Sequence, residues 1–180
     1  MSKDLYRPLR QEAVCCGKKG RDLSAGRNYT WRLLKLRPRS ESELRDKLKL
    51  KNFAAALIDE LIAYFKERGH INDREFANFW IEGRLNKPLG FKAITRELES
   101  KGLSGELVQE LISLKKKEVD EVSLARELTQ RQFNKLKERK EPAEKIKPKL
   151  YGYLTRRGFS RETINEAIDQ LTDDSSQLTE

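Results

Sequence analysis

The sequence predicts an all-α protein, an elongated, curved array of three tandem three-helix repeats. Three observations predict it. A fifteen-residue pattern occurs at Leu48–Ile62, Leu98–Ile112 and Leu154–Ile168, with starts 50 residues apart (48 to 98) and then 56 apart (98 to 154). Self-similarity at that period marks a repeat architecture. Each copy spaces its apolar residues as a helix does, with no strand-like alternation. Charged and apolar residues each make up 37% of the 180 residues, which suits slender helical units with much exposed surface better than one large core.

The copies share one chemistry. A helix closes on a basic residue, Lys51, Lys101 or Arg157. Asn52, Gly102 or Gly158 follows, residue types that accept the left-handed conformation after a helix end. Phe53, Leu103 or Phe159 then anchors the next helix. Core positions follow each anchor at +4, +5, +8 and +9: Leu57, Ile58, Leu61, Ile62; Leu107, Val108, Leu111, Ile112; Thr163, Ile164, Ala167, Ile168. Units this small are expected to complete their cores by leaning on neighbours.

In chain order, residues 1–25 are polar and basic and read as a flexible arm holding Cys15 and Cys16. Repeat 1 covers residues 26–69. Its first helix is expected near Arg27, with Tyr29, Leu33, Leu34 and Leu36 on an apolar side and Pro38 as its stop. Ser40 with Glu43 forms a capping box for the second helix, and the third runs to Glu67. Repeat 2 covers residues 70–118. Asp73 is its expected N-cap; Phe76, Ala77, Phe79 and Trp80 read as core. Pro88 ends that helix near Asn86, Gly90 opens the next, and Ser104 caps the last. Repeat 3 covers residues 119–171 and starts near Asp120. Residues 137–149 carry a charge run with Pro142 and Pro148. Pro148 fits the first turn of a helix, so its helix should start late. Ser160 caps a final helix ending near Leu171, and residues 172–180 read as a polar, acidic, disordered tail.

Charge is uneven. Residues 1–39 hold 11 Lys and Arg against 3 acids, and residues 131–161 hold 11 against 3. The middle, residues 40–130, is nearly balanced at 16 against 17, and residues 162–180 hold none against 6. Clustered positive charge favours polyanions. No apolar run approaches the ~18 residues of a membrane span, and no secretory signal opens the chain, so a cytoplasmic protein is expected.

Enzyme chemistry finds little support. His70 is the one histidine and sits in a turn; Asp59-Glu60 and Asp173-Asp174 occur without histidine or basic partners arranged as a site. There is no phosphate-cradling Gly-x-x-x-x-Gly-Lys loop and no cysteine set for a metal, so no cofactor is expected.

Several stretches together resemble the RecX regulatory family, bacterial proteins that modulate the RecA recombinase. They are Arg39-Ser40-Glu41-Ser42-Glu43-Leu44; Gly69-His70-Ile71-Asn72-Asp73 followed by Phe76-Ala77; Gly90-Phe91-Lys92-Ala93-Ile94; Glu97-Leu98-Glu99-Ser100-Lys101-Gly102; and Leu154-Thr155-Arg156-Arg157-Gly158-Phe159. The match spans Arg27 to Leu171. The basic arm and the proline-containing insertion before repeat 3 depart from the simplest pattern. The resemblance implies a non-enzymatic protein that binds in the groove of the RecA filament on DNA. It implies inhibition of strand exchange and damping of ATPase and SOS co-protease activity. A monomer is expected.

The candidate contact surface is Arg37, Arg39, Arg84, Lys87, Lys92, Arg96, Arg156 and Arg157. Lys92 and Arg96 sit one helical turn apart on an outer face. The alternative is a helical protein acting directly on nucleic acid. Ile94–Leu114 has a helix-turn-helix outline, but its second helix offers Glu106, Gln109 and Glu110 to a groove. Weak nonspecific DNA binding through the basic blocks fits better.

Overall fold

The computed structural model describes residues 22–177, with side chains to Leu171. The described residues form nine α-helices and no strand. They are α1 Leu23–Leu36, α2 Glu41–Leu50, α3 Ala55–Glu67, α4 Asp73–Leu85, α5 Phe91–Ser100, α6 Gly105–Glu118, α7 Glu121–Glu138, α8 Ala143–Arg156 and α9 Arg161–Gln177. The arm before Asp22, with Cys15 and Cys16, lies outside the described residues.

The three turns behave as the repeat chemistry requires. Lys51, Lys101 and Arg157 are the C-caps of α2, α5 and α8. Asn52, Gly102 and Gly158 take φ of 56°, 78° and 82°. The next amide reaches back across the turn: Phe53 N to Leu48 O at 3.2 Å, Leu103 N to Leu98 O and Phe159 N to Leu154 O both at 3.3 Å. This bond closes the helix and drops the apolar anchor into the core; Phe53, Leu103 and Phe159 are all buried. The +5, +8 and +9 positions are buried in every copy, whereas Leu57 and Leu107 at +4 sit at the core's edge.

The cores are separate, contrary to expectation. One gathers Leu44, Leu48, Phe53, Ile58, Leu61, Ile62, Phe65 and Ile71. Another gathers residues from Phe76 to Ile112, and a third residues from Ala125 to Leu171. Among the described residues every extensive helix pairing falls inside one repeat. Three crossed helices suffice to bury each apolar stripe.

What joins the repeats is a polar junction, built twice to one plan. Where the first repeat meets the second, the Ser40 hydroxyl donates to Lys101 O at 2.7 Å and Glu41 N donates to Asp73 Oδ1 at 2.9 Å. Where the second meets the third, Gly90 N donates to Arg157 O at 3.0 Å, Phe91 N to Glu121 Oε1 at 2.7 Å and Lys92 N to Gly158 O at 3.1 Å. The first amides of a helix have no partner within it. Here the following repeat supplies partners: Asp73 for the first amide of α2, and Glu121 and the Gly158 carbonyl for the first two of α5.

Several local expectations are corrected. Asp22 caps α1, which starts at Leu23, ahead of Arg27. Leu36 is 78% exposed, outside the apolar side assigned to it. Asn72, not Asp73, caps α4, accepting from Arg74 N and Glu75 N; Asp73 is committed to the junction. Phe79 is 52% exposed, because it lies about 130° around α4 from the centre of the Phe76, Ala77, Trp80 and Ile81 face. α8 starts at Ala143 and carries Pro148 inside it. Both Pro148 and Glu144 are exposed, so the carbonyl that proline leaves unbonded faces water. α9 runs past Leu171 to Gln177, since no glycine or proline interrupts it.

Candidate functional site

The eight basic candidates fall into two groups. Four are engaged by the fold, and two of these, Arg37 and Arg157, reach across a junction. Arg39 is 8% exposed; its Nη1 bonds Glu43 Oε1 at 2.8 Å and its Nε donates to Leu33 O at 3.3 Å. Arg37 bonds the same Glu43 oxygen. Glu43 therefore does not complete the capping box; Ser40 caps Glu43 N at 3.1 Å alone. Burial by itself raises the Glu43 pKa, but the Arg37 hydrogen bond and the charges of Arg37, Arg39 and Lys101 outweigh it and hold the carboxyl below its ordinary range.

Arg84 lies in a second knot. Its Nε bonds Glu97 Oε2 at 2.5 Å, and Trp80 Nε1 donates to that oxygen at 2.8 Å. The Trp80 ring has the Arg84 guanidinium 4.5 Å from its centroid, Lys101 Nζ at 4.9 Å and the Arg37 guanidinium at 6.0 Å. Arg37 comes from the first repeat and the others from the second, so the Arg37 contact crosses the junction. Arg157 does the equivalent work farther along. Its Nη1 donates to Lys87 O at 3.2 Å and its guanidinium lies 5.3 Å from the Tyr153 ring centroid.

The other four, Lys87, Lys92, Arg96 and Arg156, are exposed. Among the described residues none of them forms a salt bridge. They bracket the second junction: Lys92 N bonds Gly158 O, and Arg157 reaches the carbonyl of Lys87. Their charge is available to a partner, whereas Arg84 is paired with Glu97 and Arg37 and Arg39 share the single Glu43 carboxylate.

Sequence reasoning missed Asp73, Glu97 and Glu121 as structural acids. For Asp73 and Glu121 the signal was weak, because an acid in the first helical turn already has a local excuse in the helix dipole; Glu97 lies near the end of α5 and read as a solvated charge. His70 packs against Trp31, with ring centroids 4.7 Å apart, and belongs to the first repeat's apolar edge. The exposed face of α6 carries Glu106, Gln109 and Glu110, and Glu110 is held by Arg74 at 2.6 Å. The middle of that face offers carboxylates and an amide to a groove, and the exposed lysines of α6, Lys116 and Lys117, are confined to its last turn. Among the described residues no cluster of His, Cys, Asp and Glu could hold a metal, and no helix is long and apolar enough to cross a membrane.

Three matches to known families follow the same division. Residues 27–65 match the RecX first three-helix domain, residues 72–112 the second and residues 118–168 the third. A regulatory protein RecX of Haemophilus influenzae is 32% identical over 144 residues, covering 79% of this chain and 92% of the relative. One from Clostridium beijerinckii is 31% identical over 141 residues, covering 78% of this chain and 65% of the relative. The crystal structure of RecX from Lactobacillus salivarius superposes with a TM-score of 0.73 at 23% identity, covering 83% of this chain and 96% of that one. A second crystal structure of regulatory protein RecX gives 0.71 at 21% identity, covering 82% and 71%. With three matching domains in order and a relative matched over nearly its whole length, the chain belongs to the RecX family of regulatory proteins.

Proposed function

We propose that this protein binds the RecA recombinase filament on DNA and inhibits or modulates its strand-exchange, ATPase and SOS co-protease activities, without catalysing a reaction itself. It acts in the cytoplasm as a monomer, with residues 26–69, 70–118 and 119–171 as its three working units. The observation that carries this reading is the set of exposed cations without salt bridges around the second junction, Lys87, Lys92, Arg96 and Arg156, on a scaffold where Arg37 and Arg157 reach across the junctions. Three linked units engaging successive subunits of a polymer gain through multivalency, and an occupant of the filament groove competes with incoming duplex.

The test is ATP hydrolysis and strand exchange by the recombinase, with and without this chain. Inhibition that needs the recombinase supports the reading. An effect explained wholly by coating DNA supports the alternative of a direct nucleic-acid binder.

A further inference from the structure

The third repeat carries a feature that the candidate residues do not include. Lys135, Lys137, Arg139, Lys140 and Lys145 are all exposed, and none of them forms a salt bridge among the described residues. They occupy the end of α7 and the start of α8, which a short turn joins. Arg131, Lys135 and Arg139 recur every four residues along α7, about 6 Å apart. Beside this row lies a neutral pair, Gln130 and Asn134, bonded at 3.1 Å. Arg131 is bonded to Glu127 at 3.1 Å, but both side chains are two-thirds exposed, where such a pair is weak and screened. Glu138 and Glu144 also lie in this stretch. Glu141 in the turn is bonded to Lys149 at 2.5 Å, with the charges of Lys145 and Arg139 close by.

Two further observations separate this edge from an ordinary solvated face. Lys140 takes φ of 54°, where the turns ending α2, α3, α5 and α8 use Asn52, Gly69, Gly102 and Gly158. A left-handed lysine is strained in a way that glycine is not, and strain of this kind collects where a side chain is needed. The large exposed apolar side chains among the described residues are Leu36, Leu50, Phe79 and Leu114, all in the first two repeats. A protein interface takes an apolar centre. The third repeat's edge offers charge alone, in a line, which suits a phosphate backbone.

We infer that the end of α7 and the start of α8 form a nucleic-acid docking edge. Lys135, Arg139 and Lys140 hold phosphates of the strand under the recombinase, while the cations around the second junction face protein. The inference deepens the reading above and rests on it for which strand is held. Contacts to phosphate carry position without sequence, so the edge binds DNA irrespective of base composition.

The experiment is fluorescence anisotropy of dye-labelled random-sequence oligonucleotides, single-stranded and duplex, with the full chain, no recombinase and a potassium chloride titration. Lys135→Ala/Arg139→Ala/Lys140→Ala is compared with Lys35→Ala/Lys47→Ala/Lys117→Ala, which removes the same charge elsewhere. The edge variant should weaken binding about tenfold near 0.1 M salt and lower the log–log salt slope by about 2 to 3, at roughly 0.9 per duplex phosphate contact and 0.7 per single-strand contact. The control should change the affinity less than about twofold. Lys140→Gly relieves the backbone strain, so it should raise Tm while weakening binding. Equal loss in both triple variants, or an unchanged slope in the edge variant, overturns the inference; so does poly-L-glutamate displacing the DNA as well as unlabelled DNA does. Inhibition of recombinase ATP hydrolysis is read in parallel. Inhibition that survives without edge-dependent DNA binding sinks the edge alone, and edge-dependent binding without inhibition sinks the regulatory reading alone.

Discussion

The Ser40 hydroxyl and the Lys101 carbonyl oxygen meet at 2.7 Å across 61 residues of chain. The same hydroxyl oxygen accepts from Glu43 N at 3.1 Å, so one side chain caps a helix within its repeat and clasps the turn of the next. Ser40→Ala should therefore cost about 1–2 kcal/mol, the sum of a lost cap and an unsatisfied carbonyl. Ser104→Ala removes a cap with no junction contact and should cost about 0.5–1 kcal/mol. Urea titration of both variants checks the difference, and equal losses would deny Ser40 its second role.

The close approach at Gly158 gives a sharper comparison. A Cβ there would lie 2.3 Å from Ala93 Cβ and 2.5 Å from Ala93 N, whereas one at Gly69 would meet nothing within 4 Å. Both residues have positive φ, so both alanine variants pay about 1 kcal/mol for backbone conformation. Gly158→Ala should lose clearly more than Gly69→Ala, and should expose the second junction to limited proteolysis. Indistinguishable variants would mean that the third repeat is not seated on α5.

Three cores joined by polar contacts predict uneven stability. Leu98 is fully buried in the second core, so Leu98→Ala should cost about 2–5 kcal/mol. Hydrogen exchange should accelerate in α4–α6 and little elsewhere, because local units open separately. Uniform acceleration across all nine helices would show one cooperative body. Leu107 is only half-buried, and its truncation should cost less than that of Leu98.

Glu41 and Glu43 make the first repeat acid-sensitive. The hydrogen bond from Lys66, with that from Arg45, holds Glu41 below its ordinary pKa. The arginine pair does the same for Glu43 against its burial. A depressed folded pKa stabilises above the unfolded value, here 4.5, and that stability is lost as pH falls through the folded value. Tm should decline as the solution is taken below pH 4.5. Glu43→Gln should start lower at neutral pH and decline less steeply. An equal slope in the variant would remove Glu43 from the account.

The repeat was legible because its turn chemistry is local. Lys51-Asn52-Phe53, Lys101-Gly102-Leu103 and Arg157-Gly158-Phe159 each encode a helix end, a left-handed residue and an anchor within three positions. The junctions were not legible, because Ser40 and Glu43 looked fully occupied by a capping box. Only three-dimensional proximity shows Glu43 taken by Arg37 and Arg39 and Ser40 shared with Lys101. Arg39 thus read as a surface charge and is a buried strut. Asp73 and Asn72 are equally good caps by type, and the choice fell to Asn72 because Glu41 N claims Asp73. Pro148 misled for a related reason: the rule against proline inside a helix weakens where the orphaned carbonyl meets solvent. The exposed pair Lys92 and Arg96 was found from helical spacing.

The most direct measurement is recombinase ATP hydrolysis on DNA, titrated with the wild-type chain and with Lys92→Glu/Arg96→Glu, circular dichroism confirming equal helicity. Wild type should inhibit in a dose-dependent manner, and the double variant should need at least about tenfold more protein, consistent with losing some 1.4 kcal/mol of binding. No inhibition by the wild-type chain would contradict the regulatory account, and equal inhibition by the variant would remove these two residues from the contact surface.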